Sequence, residues 1–181
     1  ILQAFLVTLK MSKVNSEKLN FILEATKAHK HNGKSFFDHL LKVSGIVEKL
    51  CKDIELEDSQ YLVDAGLFHS IYGTDYYEFN EQITREKVVS LIGENAEKLV
   101  HFFCSLPDRN IQILQHKFQP SLQRDLYILE YANLLELSIT DVQRTSALNP
   151  SKIFRLKLLR ANLMDHYKFK MPPLPFSFVN K

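Results

Sequence analysis

The sequence predicts an all-α fold, a single-domain helical bundle of about seven or eight helices with an extended C-terminal tail. Three observations predict it. Apolar residues recur at intervals of three and four along most of the chain. No run alternates apolar and polar residues as a half-buried strand does. Only five glycines and six prolines interrupt 181 residues, few for a fold built on tight turns. With 45% hydrophobic and 24% charged residues, the chain has the balance of a globular domain long enough to bury a real core.

Residues 1–14 read as an N-terminal extension. Ile1 to Leu9 is apolar but lacks the basic flank and small-residue cleavage site of a secretory signal, and Met11-Ser12-Lys13 reads as a natural start. Asn15 or Ser16 caps a first helix that runs to about His31, with Asn32-Gly33 as its stop. Ser35 caps the second, with Asp38 completing an aspartate variant of the capping box; Phe36, Leu40, Val43, Val47 and Leu50 form its apolar stripe. Asp58 or Ser59 opens a third helix, Tyr61 to His69, apolar on nearly all sides and so central and buried. Gly73 breaks it, and a polar and aromatic loop follows from Thr74 to Gln82.

Thr84 caps a short helix ending at Gly93, and Glu94 begins another that stops before Pro107. Pro120-Ser121 opens a long helix with Leu122, Leu126, Leu129 and Leu137 on one face, and Asn149-Pro150 opens the last, to about Tyr167. The helical domain therefore spans 15–168. The tail, 169–181, holds three prolines and two phenylalanines between Met171 and Val179 and is expected to lie extended against the body.

A formal net charge of +2 with scattered Lys and Arg offers no electrostatic case for nucleic acid or an anionic membrane, and no stretch is long enough to span a bilayer. Cys51 and Cys104 fit no zinc spacing. They read as two small buried thiols in a reducing, cytoplasmic setting. Nothing resembles a phosphate-binding loop, a nucleophile elbow or a dinucleotide fingerprint.

The informative residues are polar ones on apolar stripes. His39 lies on the core face of the second helix, His69 ends the central helix in line with Leu62 and Gly66, and Asn133 falls between Leu129 and Leu137 on the long helix. An unpaired buried polar group costs about 1–3 kcal/mol. Each of the three could be satisfied by a backbone carbonyl, or the three could meet around a water or a metal. Neutral imidazole is the commonest metal ligand, and an amide oxygen can join it. Asp38 caps its own helix, Asp64 faces elsewhere, and Asp75 and Glu78 could swing back toward the site. Tyr72 could offer a hydroxyl, or be an ordinary buried tyrosine. His29 and His31 sit at a helix C-terminus, and His101, His116 and His166 are lone histidines. Lys34, Arg109 and Arg124 could supply positive charge at the site mouth, or simply solvate the surface.

The order of motifs from His29 to Glu136 resembles the HD superfamily, most closely the (p)ppGpp-hydrolase domains of RelA/SpoT type. Asp38-His39-Leu40 stands where that family has its first histidine, and Ala65-Gly66-Leu67-Phe68-His69-Ser70 where it has His-Asp. Val88, Leu91-Ile92-Gly93-Glu94 and Ala96-Glu97-Lys98-Leu99-Val100 resemble its middle helices, and Tyr131-Ala132-Asn133-Leu134 its Ala-Asp element. The string Gly66 to Thr74 also resembles a small family of HD-like proteins, a domain of unknown function. The resemblance implies a divalent metal (Zn²⁺, Mn²⁺ or Fe²⁺) held by His39, His69 and Asn133. The departures are as informative. Ser70 and Asn133 stand where the family has metal-binding aspartates, and Gly73 and Thr74 where it has an acidic pair. Losing carboxylates removes most of the negative charge that neutralises a metal.

Two readings follow. One is a degenerate, hydrolase-like domain that binds a metal or a small anionic ligand. The other is an active metal-dependent phosphohydrolase on a nucleotide or phosphate ester, with Ser70 and Tyr72 as helpers. The lost carboxylates favour the first. The sequence leaves catalysis undecided, and with it whether the chain is a monomer or a homodimer.

Overall fold

The computed structural model describes residues 16–27, 30–31, 34–73, 83–115 and 117–176. Outside them lie the extension 1–14, Asn15, Ala28-His29, Asn32-Gly33, the loop Thr74 to Gln82 with Asp75 and Glu78, His116, and residues 177–181; the side chains of Lys30, His31 and Lys34 are also undescribed. Among the described residues there are seven helices and one pair of two-residue strands. They are α1 (Ser16–Thr26), β1 (Lys30–His31), β2 (Lys34–Ser35), α2 (Phe36–Asp53), α3 (Gln60–Phe68), α4 (Arg85–Ser105), α5 (Arg109–Gln115), α6 (Pro120–Thr145) and α7 (Pro150–Tyr167). The chain is all-α, as expected.

The first departure follows α1, which ends at Thr26 rather than near His31. Lys30 and His31 pair antiparallel with Ser35 and Lys34. The Asn-Gly dipeptide between them is a strong hairpin signal as well as a helix stop. A second departure is the start of α2. Ser35 is its N-cap residue but makes no side-chain cap hydrogen bond, and neither does Ser59 before α3. Thr84 and Asn149 do cap. The Thr84 hydroxyl accepts from the Lys87 N–H, and the Asn149 side chain accepts from the N–H groups of Ser151 and Lys152. Gly93, at φ 79° and ψ 164°, breaks α4 internally where two helices had been expected to meet. Helix α5 carried no clear sequence signal: it is one short span of seven residues with a single buried side chain, Ile113.

Helix α3 is the centre. Every residue from Leu62 to Phe68 is buried, because α2, α4 and α6 pack around it. Its closest approach is to α2. A Cβ built on Gly66 would stand 3.1 Å from the Ser44 Cα and 3.1 Å from the Val47 Cγ2, so any larger residue would press the two helices apart by a few tenths of an ångström. The Ser44 hydroxyl donates to the Val63 carbonyl at 2.9 Å across the same seam. Helix α6 backs both α2 and α3, and α7 packs along α6. Ser146 and Lys168 take left-handed φ of 56° and 60° to end α6 and α7. Beyond α7 the chain folds back. The Arg160 guanidinium donates to the Met171 and Pro172 carbonyls, and Met171 and Phe176 are buried in the core.

Gly66→Ala should therefore destabilise the fold by about 1–3 kcal/mol in urea unfolding, by forcing α2 off α3. A change near zero would show that the seam is soft. Asn149→Ala should cost about 1 kcal/mol by the same measurement.

Candidate functional site

The close seam sets a register. Ser44 lies opposite Val63 and Gly66, and His39, earlier in α2, lies opposite His69, beyond the end of α3, so the two helices run antiparallel. Both are buried, at 6% and 1% exposure. Their Nε2 atoms face each other at 3.3 Å, with the rings 71° apart. Phe36 stacks beside His39, and Phe103 meets the edge of His69.

The other nitrogen of each ring is engaged differently. His69 Nδ1 lies 2.8 Å from the Gly66 carbonyl oxygen, which can only accept, so this nitrogen carries the proton. His39 Nδ1 lies 2.7 Å from Glu136 Oε2. Burial pushes the Glu136 carboxyl up, but His39, the Thr140 hydroxyl and Lys42 together hold it below its ordinary value, so it accepts and His39 Nδ1 donates. In neutral imidazoles both Nε2 atoms are then acceptors, and the two acceptors point at one another. A pair this close is stable when a positively charged species lies between them, either a proton or a metal cation.

The separation suits a cation. Two metal–nitrogen bonds of about 2.1 Å at a tetrahedral angle hold their nitrogens about 3.4 Å apart. Metal-bound imidazoles also hand their second N–H to a carboxylate or a backbone carbonyl, and both arrangements are present here. The pair stands short of a full ligand set, since no group of three or more His, Cys, Asp or Glu side chains among the described residues is arranged to hold a metal.

The remaining expected residues divide. Asn133 is buried, but its amide donates to Glu130 Oε2 at 3.3 Å, and the carboxylate that engages His39 is Glu136, one turn further along α6. Glu136 had not been expected in the site. Glu136 shares a helical spacing with Glu130, Asn133 and Thr140, but the helix carries polar residues on other faces as well, so that spacing alone does not single it out. Ser70 is buried at the end of α3. The Tyr72 hydroxyl turns to Glu97, donating at 3.0 Å, and Arg85 grips both oxygens of the same carboxylate at 2.7 Å. Burial and the Glu97 charge push the Tyr72 hydroxyl up, which works against proton donation near neutral pH.

Asp64 faces elsewhere, paired with Lys18 at 2.8 Å, and Asp38 is exposed in the first turn of α2. Arg109 lies over the Phe103 ring, 4.0 Å from its centroid, and 3.6 Å from Glu130. Arg124 is taken up by Asp125 and Tyr61. His101 meets the Tyr72 ring edge-on, and His166 is exposed near the end of α7. Both cysteines are free, and burial pushes each thiol up to about 11; Cys104 donates to the His69 carbonyl.

Residues 22–109 match the family model of a domain of unknown function, DUF6817. The matched stretch carries both histidines, Gly66 and the Tyr72–Glu97–Arg85 cluster, and stops short of α6 with Asn133 and Glu136. No curated protein and no solved structure matches the chain. No helix among the described residues is long and apolar enough to cross a membrane.

The Glu97 cluster yields a pH prediction. The Arg85 hydrogen bonds, joined by Tyr72, hold the folded Glu97 carboxyl below its ordinary value against its burial. It therefore contributes stability above the unfolded value, which is lost as pH falls through the lower folded value. In thermal melts, Glu97→Gln should be less stable than the unaltered chain at pH 7, and the gap should narrow as pH falls below the ordinary glutamate value. A gap independent of pH would remove the ionised pair from the account.

Proposed function

We propose that this chain is a metal-binding domain in which His39 and His69 hold one divalent cation through their Nε2 atoms, with a small anionic ligand completing the site. The single observation behind this reading is the 3.3 Å approach of the two buried Nε2 atoms, which face each other as acceptors when both imidazoles are neutral and donate through Nδ1. Imidazole donors suit Zn²⁺ or Fe²⁺ better than Mn²⁺. The domain match is to a family of unknown function, and the likeness to HD hydrolases is carried by the motifs alone.

When bound, a cation of this kind polarises an anionic ligand and makes its own water more acidic. The chain's own residues do the rest. Gly66 O and Glu136 orient the two rings, the Phe36 and Phe103 rings wall them, and burial keeps bulk water from competing. Hydrolysis of a phosphate ester or nucleotide would also need a group to handle the proton of the attacking water. Tyr72, the expected helper, is committed to Glu97. This favours binding over turnover.

Protein purified without chelator should contain close to one equivalent of Zn²⁺ or Fe²⁺ by plasma emission spectroscopy. His39→Ala and His69→Ala should each lose it while keeping the helical circular dichroism. Metal-free protein that takes up none of Zn²⁺, Mn²⁺ or Fe²⁺ on soaking would overturn the reading and leave a shared proton between the imidazoles.

A further inference from the structure

The two imidazoles are held by unequal partners. His69 donates to a neutral peptide carbonyl, Gly66 O at 2.8 Å, and His39 to a carboxylate, Glu136 Oε2 at 2.7 Å. We propose that Glu136 is the positioning residue of this site: through the His39 ring it supplies the negative charge that a cation between the two histidines needs, making His39 the stronger of the two ligands. The proposal rests on the reading of the pair as a cation site and names what regulates its affinity.

Three features carry it. First, the two carboxylate oxygens have divided duties. Oε2 takes the His39 N–H, while Oε1 accepts from the Thr140 hydroxyl at 2.8 Å and lies 3.7 Å from Lys42 Nζ. Thr140, one turn along the same helix, fixes the rotamer so that Oε2 keeps its aim, and His39 Nε2 therefore keeps facing His69. Second, charge is scarce where it is needed. A divalent cation between two neutral imidazoles would bring two positive charges into a place where both rings are almost fully buried, and a carboxylate hydrogen-bonded to a ligand imidazole offsets this by enriching the metal-facing nitrogen. Third, Lys42 is the counterweight. It is the more exposed partner, at 29% against 5% for Glu136, and its ammonium draws on the same carboxylate from the solvent side. Glu136 thus sits between two cations, one fixed and one to be bound, and its charge is shared between them.

This arrangement gives two variants opposite signs, which a merely structural ion pair does not. Glu136→Gln keeps the size and the acceptor for His39 Nδ1–H but removes the charge. Lys42→Met removes the competing cation. Co²⁺ would be titrated into the metal-free full chain and followed by its visible absorption and by calorimetry, with circular dichroism confirming the fold. The unaltered chain should bind one Co²⁺. Glu136→Gln should bind about 10–100-fold more weakly with a band pattern of the same form, and Lys42→Met should bind several-fold more tightly. Equal affinity in the unaltered chain and Glu136→Gln overturns the role of Glu136 while leaving the histidine site standing. If Glu136→Gln fails to fold, unchanged affinity in Lys42→Met overturns it instead. No Co²⁺ binding by the unaltered chain overturns the cation site itself, and this proposal with it.

Discussion

Helices α2 and α3 meet at Gly66 almost backbone to backbone, and the rest of the structure depends on that contact. With a Cβ there, the Ser44 Cα and Val47 would have to retreat. The approach buries α3 on all sides and lets α4 and α6 close around it. It also goes with the antiparallel register, which together with the rotation of each helix brings the Nε2 atoms of His39 and His69, thirty positions apart in the chain, within 3.3 Å. Gly66 contributes a second time, because its carbonyl takes the His69 Nδ1 proton. One residue thus bears on both the distance between the histidines and the tautomer of one of them.

The electrostatics of the interior follow from where α6 lies. It carries a series of buried polar side chains, Glu130, Asn133, Glu136, Ser138 and Thr140, and each carboxylate there meets a different solution to burial. Glu136 is held ionised by His39, Thr140 and Lys42. Glu130 is pushed up by burial, with Arg109 at 3.6 Å only partly offsetting it. On the other side of α3, Glu97 gains two bonds from Arg85 and one from Tyr72. Among the described residues these carboxylates belong to separate networks.

Much of the fold was legible in the residues. The apolar stripe of α2, the all-round apolar α3, the Thr84 and Asn149 caps, the break at Gly93 and the proline starts of α6 and α7 are local signals, and local signals act through backbone geometry that needs no partner. The errors were local signals with two meanings. Asn32-Gly33 serves a helix end or a hairpin, and only the pairing of Lys30 and His31 with Ser35 and Lys34 selects the hairpin. Ser35 and Ser59 have the chemistry of caps, but their side chains make no cap bond. Of the candidate site, His39 and His69 were legible as polar residues on faces that had to be buried. Glu136 was not singled out, because a glutamate near the middle of a long helix reads as solvated until the helices packed against it are known.

The sequence by itself determined the helical class, the central place of α3, and the presence of two histidines on core faces. These follow from spacing and residue size. Only the tertiary structure decided that the histidines face each other, that a carboxylate three residues beyond Asn133 engages one of them, and that Tyr72 turns to Glu97. Those outcomes depend on the rotation of each helix about its own axis. A helix's periodicity says which face is buried, and it takes the packed neighbours to say what that face meets.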